Sequence, residues 1–171
     1  MQLISLMAAV VFGTAAVAAA PAPAAGAAGG LPGLDAVQSG YARSIIAKAK
    51  TAGVGRRGCA AAIATGLVES TLMMYANSAV PESLRHHHDR VGSDHDSIGL
   101  FQQRASVYRN IACDMDAGCS AGQFFARIKG VSGWHTMATG TLSQTVQQSS
   151  YPGRYGAQAR AAAAICAAGG L

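Results

Sequence analysis

A single glutamate at the end of an apolar stretch is the strongest candidate for chemistry in this chain of 171 residues. Glu69 follows the apolar residues 63–68 and is the only acidic residue in a helix that we predict over residues 58–75. A carboxylate buried there without a partner would be costly, so Glu69 must be paired, lie at a cleft or be protonated. A protonated carboxyl group at a cleft is a general acid, the group that cleavage of a sugar chain requires.

Glu82 is the rival acid, because it also precedes a serine. It follows Pro81 in a polar loop, where nothing would desolvate it. The alternative for Glu69 is a side chain near a helix end that simply points to solvent. We favour Glu69 as the acid because it alone follows an apolar helix.

A short hairpin with two amide side chains is predicted at residues 97–103. Gly99 permits a close backbone approach or an unusual dihedral angle. Gln102 and Gln103 point to opposite faces of an extended strand, so one would reach a ligand while the other supports the backbone. The alternative is that both are ordinary surface amides.

The loop before this hairpin is rich in histidine and aspartate, from His86 to Asp89 and from Asp94 to Asp96. Consecutive residues cannot all face one metal ion, and the helical spacing of zinc-binding histidines is missing. We therefore expect a polar loop, with no metal and no cofactor. The alternative is a calcium ion held by Asp89, Asp94 and Asp96.

The hydrophobic pattern predicts a mainly helical domain. A first helix is expected over residues 36–51, capped by Asp35 and ended by Gly53. Further helices are expected over residues 121–131, 141–148 and 157–168. Half of the residues are hydrophobic but only 6% are aromatic, so the core must pack small side chains.

The net charge of +5 favours polyanionic partners such as nucleic acids or bacterial cell walls. No run of basic residues exceeds the pair Arg56-Arg57, and no helix carries a basic stripe. Nucleic acid is therefore not the expected partner.

The amino terminus has the features of a secretory signal. Residues 1–18 are apolar and end in the small-x-small site Ala16-Val17-Ala18, although they contain no Lys or Arg. The run is short for a membrane span. The alternative to a signal peptide is a buried N-terminal helix. Residues 19–34 are predicted to be an Ala/Pro/Gly-rich arm or propeptide, and residues 35–171 one domain. We expect a secreted, monomeric protein that does not bind membranes.

Four cysteines follow the signal, which predicts two disulfides in an exported protein. Three connectivities are possible. Cys113 and Cys119 flank a short acidic loop and are expected to pair, which would leave Cys59 to pair with Cys166. The alternative, a zinc site, lacks a C-x-x-C pair.

Residues 62–108 resemble the lysozyme-like superfamily, especially the branch of goose-type lysozymes and soluble lytic transglycosylases. The likeness rests on Val68-Glu69-Ser70 and on Ser97-Ile98-Gly99-Leu100-Phe101-Gln102, with Phe101 where that branch has Met. The Gly-Leu-Phe-Gln-Gln-Arg stretch that ends at Arg104 is more similar to secreted actinobacterial lysozyme-like domains. Their loop and closing segment resemble residues 75–95 and 146–155.

The resemblance implies a small helical domain with a cleft across its waist and a three-stranded hairpin region on one side. Glu69, kept protonated by apolar surroundings, would cleave the β-1,4 bond between N-acetylmuramic acid and N-acetylglucosamine. A second carboxylate would come from Asp94 or Asp96, which precede the hairpin. The residues expected to contact the sugar are Ser97, Gln102, Gln103, Tyr151 and Tyr155.

The sequence also allows several alternatives to a peptidoglycan hydrolase. A lytic transglycosylase needs no second carboxylate, because the muramyl acetamide and 6-hydroxyl take its role. An inactive relative would bind glycan without cleaving it, and a metal-binding protein would use the His/Asp loop. Chitin or chitosan would be other substrates for the same fold.

Overall fold

The computed structural model describes residues 29–171, so the predicted signal peptide and most of the predicted arm lie outside the described residues. The last part of the arm belongs to the folded domain. Leu31 is buried in the core, and its N–H donates to the hydroxyl of Ser39 at 3.0 Å. The packed domain therefore begins before Asp35, where the sequence analysis placed its first residue.

Helix α1 (Ala36–Ala52) begins at the predicted residue and ends one residue later than predicted, directly before Gly53. The carboxylate of Asp35 accepts from the Gln38 N–H, and the Gln38 side chain accepts from the Asp35 N–H. This capping box satisfies two N–H groups at the helix start. Gly53 ends the helix at φ 67°, a left-handed conformation that glycine adopts at little cost.

Helix α2 (Gly55–Glu69) lies at the centre of the domain, and its residues 58–66 are all buried. The helix is shorter than predicted and ends at Glu69 instead of near residue 75. Thr71 and Leu72 both have a φ of 54°, which is incompatible with a continuing helix. The Leu72 N–H turns back to donate to the Gly66 carbonyl at 3.0 Å. Glu69 is consequently a terminal residue of the helix.

In the part of the chain that the structure describes, the β region consists of four short strands in two pairs. Strand β1 (Tyr75–Asn77) pairs in parallel with β2 (Arg90–Gly92), and β3 (Ser97–Ile98) pairs antiparallel with β4 (Gln103–Arg104). The predicted hairpin is therefore present, but the three-stranded region that the resemblance implies is replaced by two separate pairs. The Gly99 N–H donates to the Tyr75 carbonyl at 2.8 Å and holds the hairpin turn against β1.

Six further helices follow in the described residues 29–171. They are α3 (Ala105–Tyr108), α4 (Ile111–Asp114), α5 (Ala117–Lys129), α6 (Thr139–Gln147), α7 (Arg154–Ala157) and α8 (Ala159–Ala168). Helix α2 packs against α1, α6 and α8, and α1 packs against α5. Phe101, from the hairpin turn, stacks on Phe124 of α5 with ring centroids 5.1 Å apart. The described chain is mainly α with a small β region, as predicted.

Both expected disulfides are formed. Cys59 in α2 bonds to Cys166 in α8, and Cys113 bonds to Cys119 across the start of α5. Such bonds suit a protein of an oxidising compartment. Within residues 29–171, no helix is long and apolar enough to cross a membrane.

Candidate functional site

Glu69 lies where the buried helix α2 reaches a cleft. The next residue, Ser70, is buried, and its hydroxyl lies 2.8 Å from the Leu100 carbonyl and 3.1 Å from the Gly66 carbonyl. The contact with Leu100 joins the end of α2 to the turn of the β3–β4 hairpin. The two residues thus differ in role, because Glu69 enters the cleft and Ser70 holds the hairpin beside it.

Tyr155 fixes one oxygen of the Glu69 carboxyl group. Its side chain, on α7, is fully buried, and its hydroxyl donates to Oε1 of Glu69. Burial raises the pKa of the Tyr155 hydroxyl above its ordinary value of 10.0, and the hydrogen bond to Glu69 and the charge of that group raise it further. The hydroxyl therefore stays protonated near neutral pH. Because Oε1 is occupied, Oε2 is the oxygen left for proton exchange with a ligand.

An open cleft of about 260 Å³ lies beside this pair. The predicted site residues that line it are Glu69, Asp94, Gln102, Tyr151 and Tyr155. Its other lining residues are Gln147, Ser149, Ser150 and Arg154, which the sequence analysis did not assign to a site. The surroundings of Glu69 are thus polar and not apolar as expected. The apolar length of α2 lies behind the acid, while the side chains in front of it carry hydroxyls, amides and charges.

The site residues that were missed lie in the turn between α6 and α7 and at the helix ends that flank it. A guanidinium nitrogen of Arg154 donates to the Val68 carbonyl at 3.3 Å, and the guanidinium carbon lies 5.7 Å from the centroid of the Tyr151 ring. These contacts hold the turn against the end of α2. The available signal was the closeness of the missed residues in sequence to Tyr151 and Tyr155, since Arg154 lies between the two tyrosines and the other three lie within four residues of Tyr151.

Asp94 and Asp96 occupy different environments. Asp94 lines the cleft, is exposed, and its Oδ1 lies 2.8 Å from Nδ1 of His95. Asp96 does not line the cleft. Its Oδ2 accepts from the Ser106 N–H at 2.7 Å and its Oδ1 accepts from Nε of Arg104. The bonds from Ser106 and then Arg104 hold the pKa of Asp96 well below its usual range. With both oxygens engaged, Asp96 stabilises the hairpin and is not brought to Glu69.

The three hairpin residues that were predicted to contact the sugar also occupy different environments. Gln102 has a positive φ of 48°, lines the cleft, and donates from Nε2 to the Gly99 carbonyl at 3.0 Å. Ser97 is buried in β3 and does not line the Glu69 cleft. Gln103 is also buried, and it lines an adjacent cavity. The structure therefore brings Gln102 to Glu69 but not Ser97 or Gln103.

The hairpin turn rests on α4 through Gly99. A Cβ atom at this position would lie 2.1 Å from the Asp114 carbonyl oxygen, and the φ of Gly99 is 75°. The side chain of Asp114 is buried and accepts from Nε2 of Gln123 at 3.1 Å, and within the described chain its Oδ2 has no partner. Burial raises the pKa of Asp114 to about 6, against the effect of the Gln123 bond.

The His/Asp loop is organised by hydrogen bonds. Oδ2 of Asp89 accepts from the Tyr41 hydroxyl at 2.8 Å and from the Met74 N–H at 2.7 Å. No group of three or more His, Cys, Asp or Glu side chains in residues 29–171 is placed to hold a metal ion. Glu82, the rival acid, is exposed and does not line the cleft of Glu69.

No family model matches this chain, and a comparison with curated proteins finds no significant match.

Proposed function

We propose that this chain is a secreted glycosidase that cleaves peptidoglycan at the β-1,4 bond between N-acetylmuramic acid and N-acetylglucosamine, with Glu69 as general acid. The observation that carries the proposal is the position of Glu69, at the end of a buried helix and inside an open cleft, with Oε1 held by Tyr155. This arrangement supports an acid whose remaining oxygen meets the substrate.

The proton would leave Oε2 of Glu69 and go to the glycosidic oxygen as the bond to the anomeric carbon breaks. Tyr155 is a positioning residue in this step, because it holds the carboxyl group through the other oxygen. Its donated hydrogen bond also stabilises the carboxylate that remains after proton transfer. The acid and its orienting group thus come from α2 and α7, two elements that pack together.

Asp94 is the candidate for the second half of the reaction, since it lines the cleft of Glu69. In an inverting hydrolase this carboxylate would activate water from about 6.5–9.5 Å away. In a lytic transglycosylase the acetamide of the muramyl sugar would act in its place, and the product would carry an anhydro-muramyl end. The exposure of Asp94 to solvent favours the hydrolase.

Other features of the cleft suit an N-acetylated glycan. Gln102 and Gln147 each donate from Nε2 to a backbone carbonyl, so each keeps an Oε1 acceptor for the N–H of an acetamido group. Tyr151 is 66% exposed and offers an aromatic face for a sugar ring. The signal-like amino terminus, the two disulfides and the net charge of +5 support secretion and attraction to an anionic wall.

The test is mass spectrometry of the products released from purified peptidoglycan by the wild-type protein and by Glu69→Gln. We expect muropeptides with reducing muramyl ends from the wild type and none from Glu69→Gln. Glu82→Gln is the matched control, because it makes the same chemical change at an exposed acid outside the cleft and should retain activity. Asp94→Asn should slow a hydrolase strongly.

Three other results of this digestion would change the proposal. Anhydro-muramyl ends would retain Glu69 as the acid but replace hydrolysis by transglycosylation. Equal activity of wild type and Glu69→Gln would overturn the assignment of the acid. Wall binding without any soluble product from either protein would overturn the enzyme and leave a glycan-binding domain.

A further inference from the structure

A second cavity continues the cleft of Glu69 on the other side of Gln102 and Gln147. These two residues line both spaces, so the second cavity adjoins the cleft. The second cavity has a volume of about 230 Å³. A third, of about 440 Å³, shares Arg127, Val146 and Gln148 with it. The second and third cavities together form a groove that we call the Arg127 arm.

The Arg127 arm differs from the cleft in its charge. Among residues 29–171, no Asp or Glu side chain lines either of its two cavities, whereas Glu69 and Asp94 line the cleft. It contains two guanidinium groups, and that of Arg104 is paired with Asp96. Arg127 takes part in no ion pair among residues 29–171. The arm therefore presents one uncompensated positive charge.

Arg127 is held in place by an aromatic ring. Its guanidinium carbon lies 4.6 Å from the centroid of the Tyr108 ring, which is a cation–π contact. A planar guanidinium binds a carboxylate through two parallel hydrogen bonds. The geometry is thus suited to an anionic group that is planar.

Gln103 provides an independent indication of a ligand. Gln103 is 3% exposed and is one of the residues that line the cavity, yet neither Nε2 nor Oε1 of its side chain has a hydrogen-bond partner in the described chain. Buried amides without partners are rare in folded proteins, because each unsatisfied group costs about 1–3 kcal/mol. A peptide group entering the arm would offer both the acceptor and the donor that this amide lacks.

We infer that the Arg127 arm binds the peptide attached to the muramyl sugar, with Arg127 pairing with a peptide carboxylate and Gln103 with a peptide amide. This inference rests on the proposed function, because it places the glycan in the Glu69 cleft and its peptide in the adjoining arm. It adds that the protein selects peptide-bearing glycan over an uncharged glycan such as chitin.

The test measures the binding of muramyl dipeptide and of its carboxamide, in which only the terminal carboxylate is neutralised. Isothermal titration gives both affinities, and neither ligand contains the bond between two sugars that the enzyme would cleave. We expect the wild type to bind the acid about 5–10-fold more tightly than the amide. Arg127→Gln should bind both equally, because its side chain no longer carries a charge.

Arg160→Gln is the matched control, since it removes the same charge from an exposed arginine on α8 outside the groove. It should retain the preference for the acid. Equal binding of the two ligands by the wild type, no binding of either, or an equal loss of preference in both variants would overturn the inference. These outcomes are independent of cleavage, so carboxylate selection without soluble products would overturn only the proposed enzyme.

Discussion

The hydroxyl of Tyr155 reaches Glu69 from a position 86 residues further along the chain. Both residues are fixed by their elements, since Glu69 ends the buried helix α2 and Tyr155 is fully buried on α7. A hydrogen bond between two such residues is pre-organised, so little conformational freedom is lost when a substrate arrives. At the scale of single residues, this hydroxyl should therefore matter to the rate more than to the fold.

Tyr155→Phe should lower kcat about tenfold and leave KM nearly unchanged. The ring keeps its place in the core, while the carboxyl group loses one charge-assisted hydrogen bond of about 1.5 kcal/mol. The measurement is the initial rate of release of soluble muropeptides at several wall concentrations. Tyr151→Phe is the control, because that hydroxyl has no bond to Glu69. Equal rates for Tyr155→Phe and wild type would contradict a positioning role.

The Asp114 carboxyl group should make the free energy of unfolding higher in mild acid than at neutral pH. Its folded pKa of about 6 lies above its ordinary value of 3.8, so folding takes up a proton. This contribution is fully present below about pH 3.8 and is lost as the pH rises through 6. From pH 4.5 to 7.5 it should reduce the free energy of unfolding by about 2 kcal/mol.

The measurement for Asp114 is urea unfolding of wild type and Asp114→Asn at both pH values. Other groups, such as Asp96 with its lowered pKa, act in the opposite direction but contribute equally to both proteins. The difference between the two proteins isolates Asp114. Parallel pH dependences would show that its carboxyl group is not protonated by burial.

At the scale of elements, the β3–β4 hairpin is held from three sides. Ser70 bonds to the Leu100 carbonyl, the Gly99 N–H bonds to the Tyr75 carbonyl, and the Asp114 carbonyl packs on the Cα of Gly99. The turn therefore joins α2, β1 and α4, and it carries Gln102 to the cleft.

Gly99→Ala should destabilise the protein by at least about 2 kcal/mol. The new methyl group would meet the Asp114 carbonyl, and the left-handed φ adds strain. Gly40→Ala is the control, because a Cβ there meets nothing within 4 Å and alanine favours the helix interior. That change should stabilise by about 0.5–1 kcal/mol. Urea unfolding checks both, and similar values for the two variants would contradict the close approach at Gly99.

The helix ends and turns that depend on residues close together in the sequence were predictable. The Asp35 cap, Gly53 and the hairpin around Gly99 each depend on neighbouring residues, and the structure confirms them. The parallel pairing of β1 with β2 was not predictable, because it joins two three-residue strands across a loop. The early end of α2 depends on positive φ angles at Thr71 and Leu72, for which these residue types give no warning.

The candidate site was also predictable only in part, because some of its residues are brought together by long-range contacts. Glu69 was identified from its place after an apolar helix, and Tyr151 and Tyr155 from the resemblance, and the structure brings all three to one cleft. The choice between Asp94 and Asp96 depends on Arg104, which is eight residues from Asp96 and pairs with it only once the hairpin forms. The polar surroundings of Glu69 come from the turn after α6, whose docking on α2 is a long-range contact.

At the scale of the whole molecule, the two disulfides constrain very different lengths of chain. Cys59 and Cys166 are separated by 107 positions, and Cys113 and Cys119 by 6. In the chain-entropy treatment the longer loop restricts the unfolded state more. The bond from α2 to α8 also joins two helices that pack closely.

Replacing both Cys59 and Cys166 by alanine should lower the free energy of unfolding by about 4–5 kcal/mol. The same replacement of Cys113 and Cys119 should cost only about 2 kcal/mol. Urea unfolding of the two double variants under identical conditions gives the comparison. A larger loss from the short loop would show that local geometry near α5 outweighs loop length.

The Cys59–Cys166 bond has a further consequence for a protein exposed to proteases. It closes residues 60–165 into a covalent ring, and this ring contains Glu69, Asp94, Tyr155 and the Arg127 arm. A single cut anywhere in the ring opens the backbone but releases no fragment. A nicked molecule would migrate as one species in electrophoresis and separate into two only after reduction. The disulfide would keep the two parts of the cut chain in one molecule, so their effective concentration for each other would stay high. A single proteolytic cut therefore need not abolish activity.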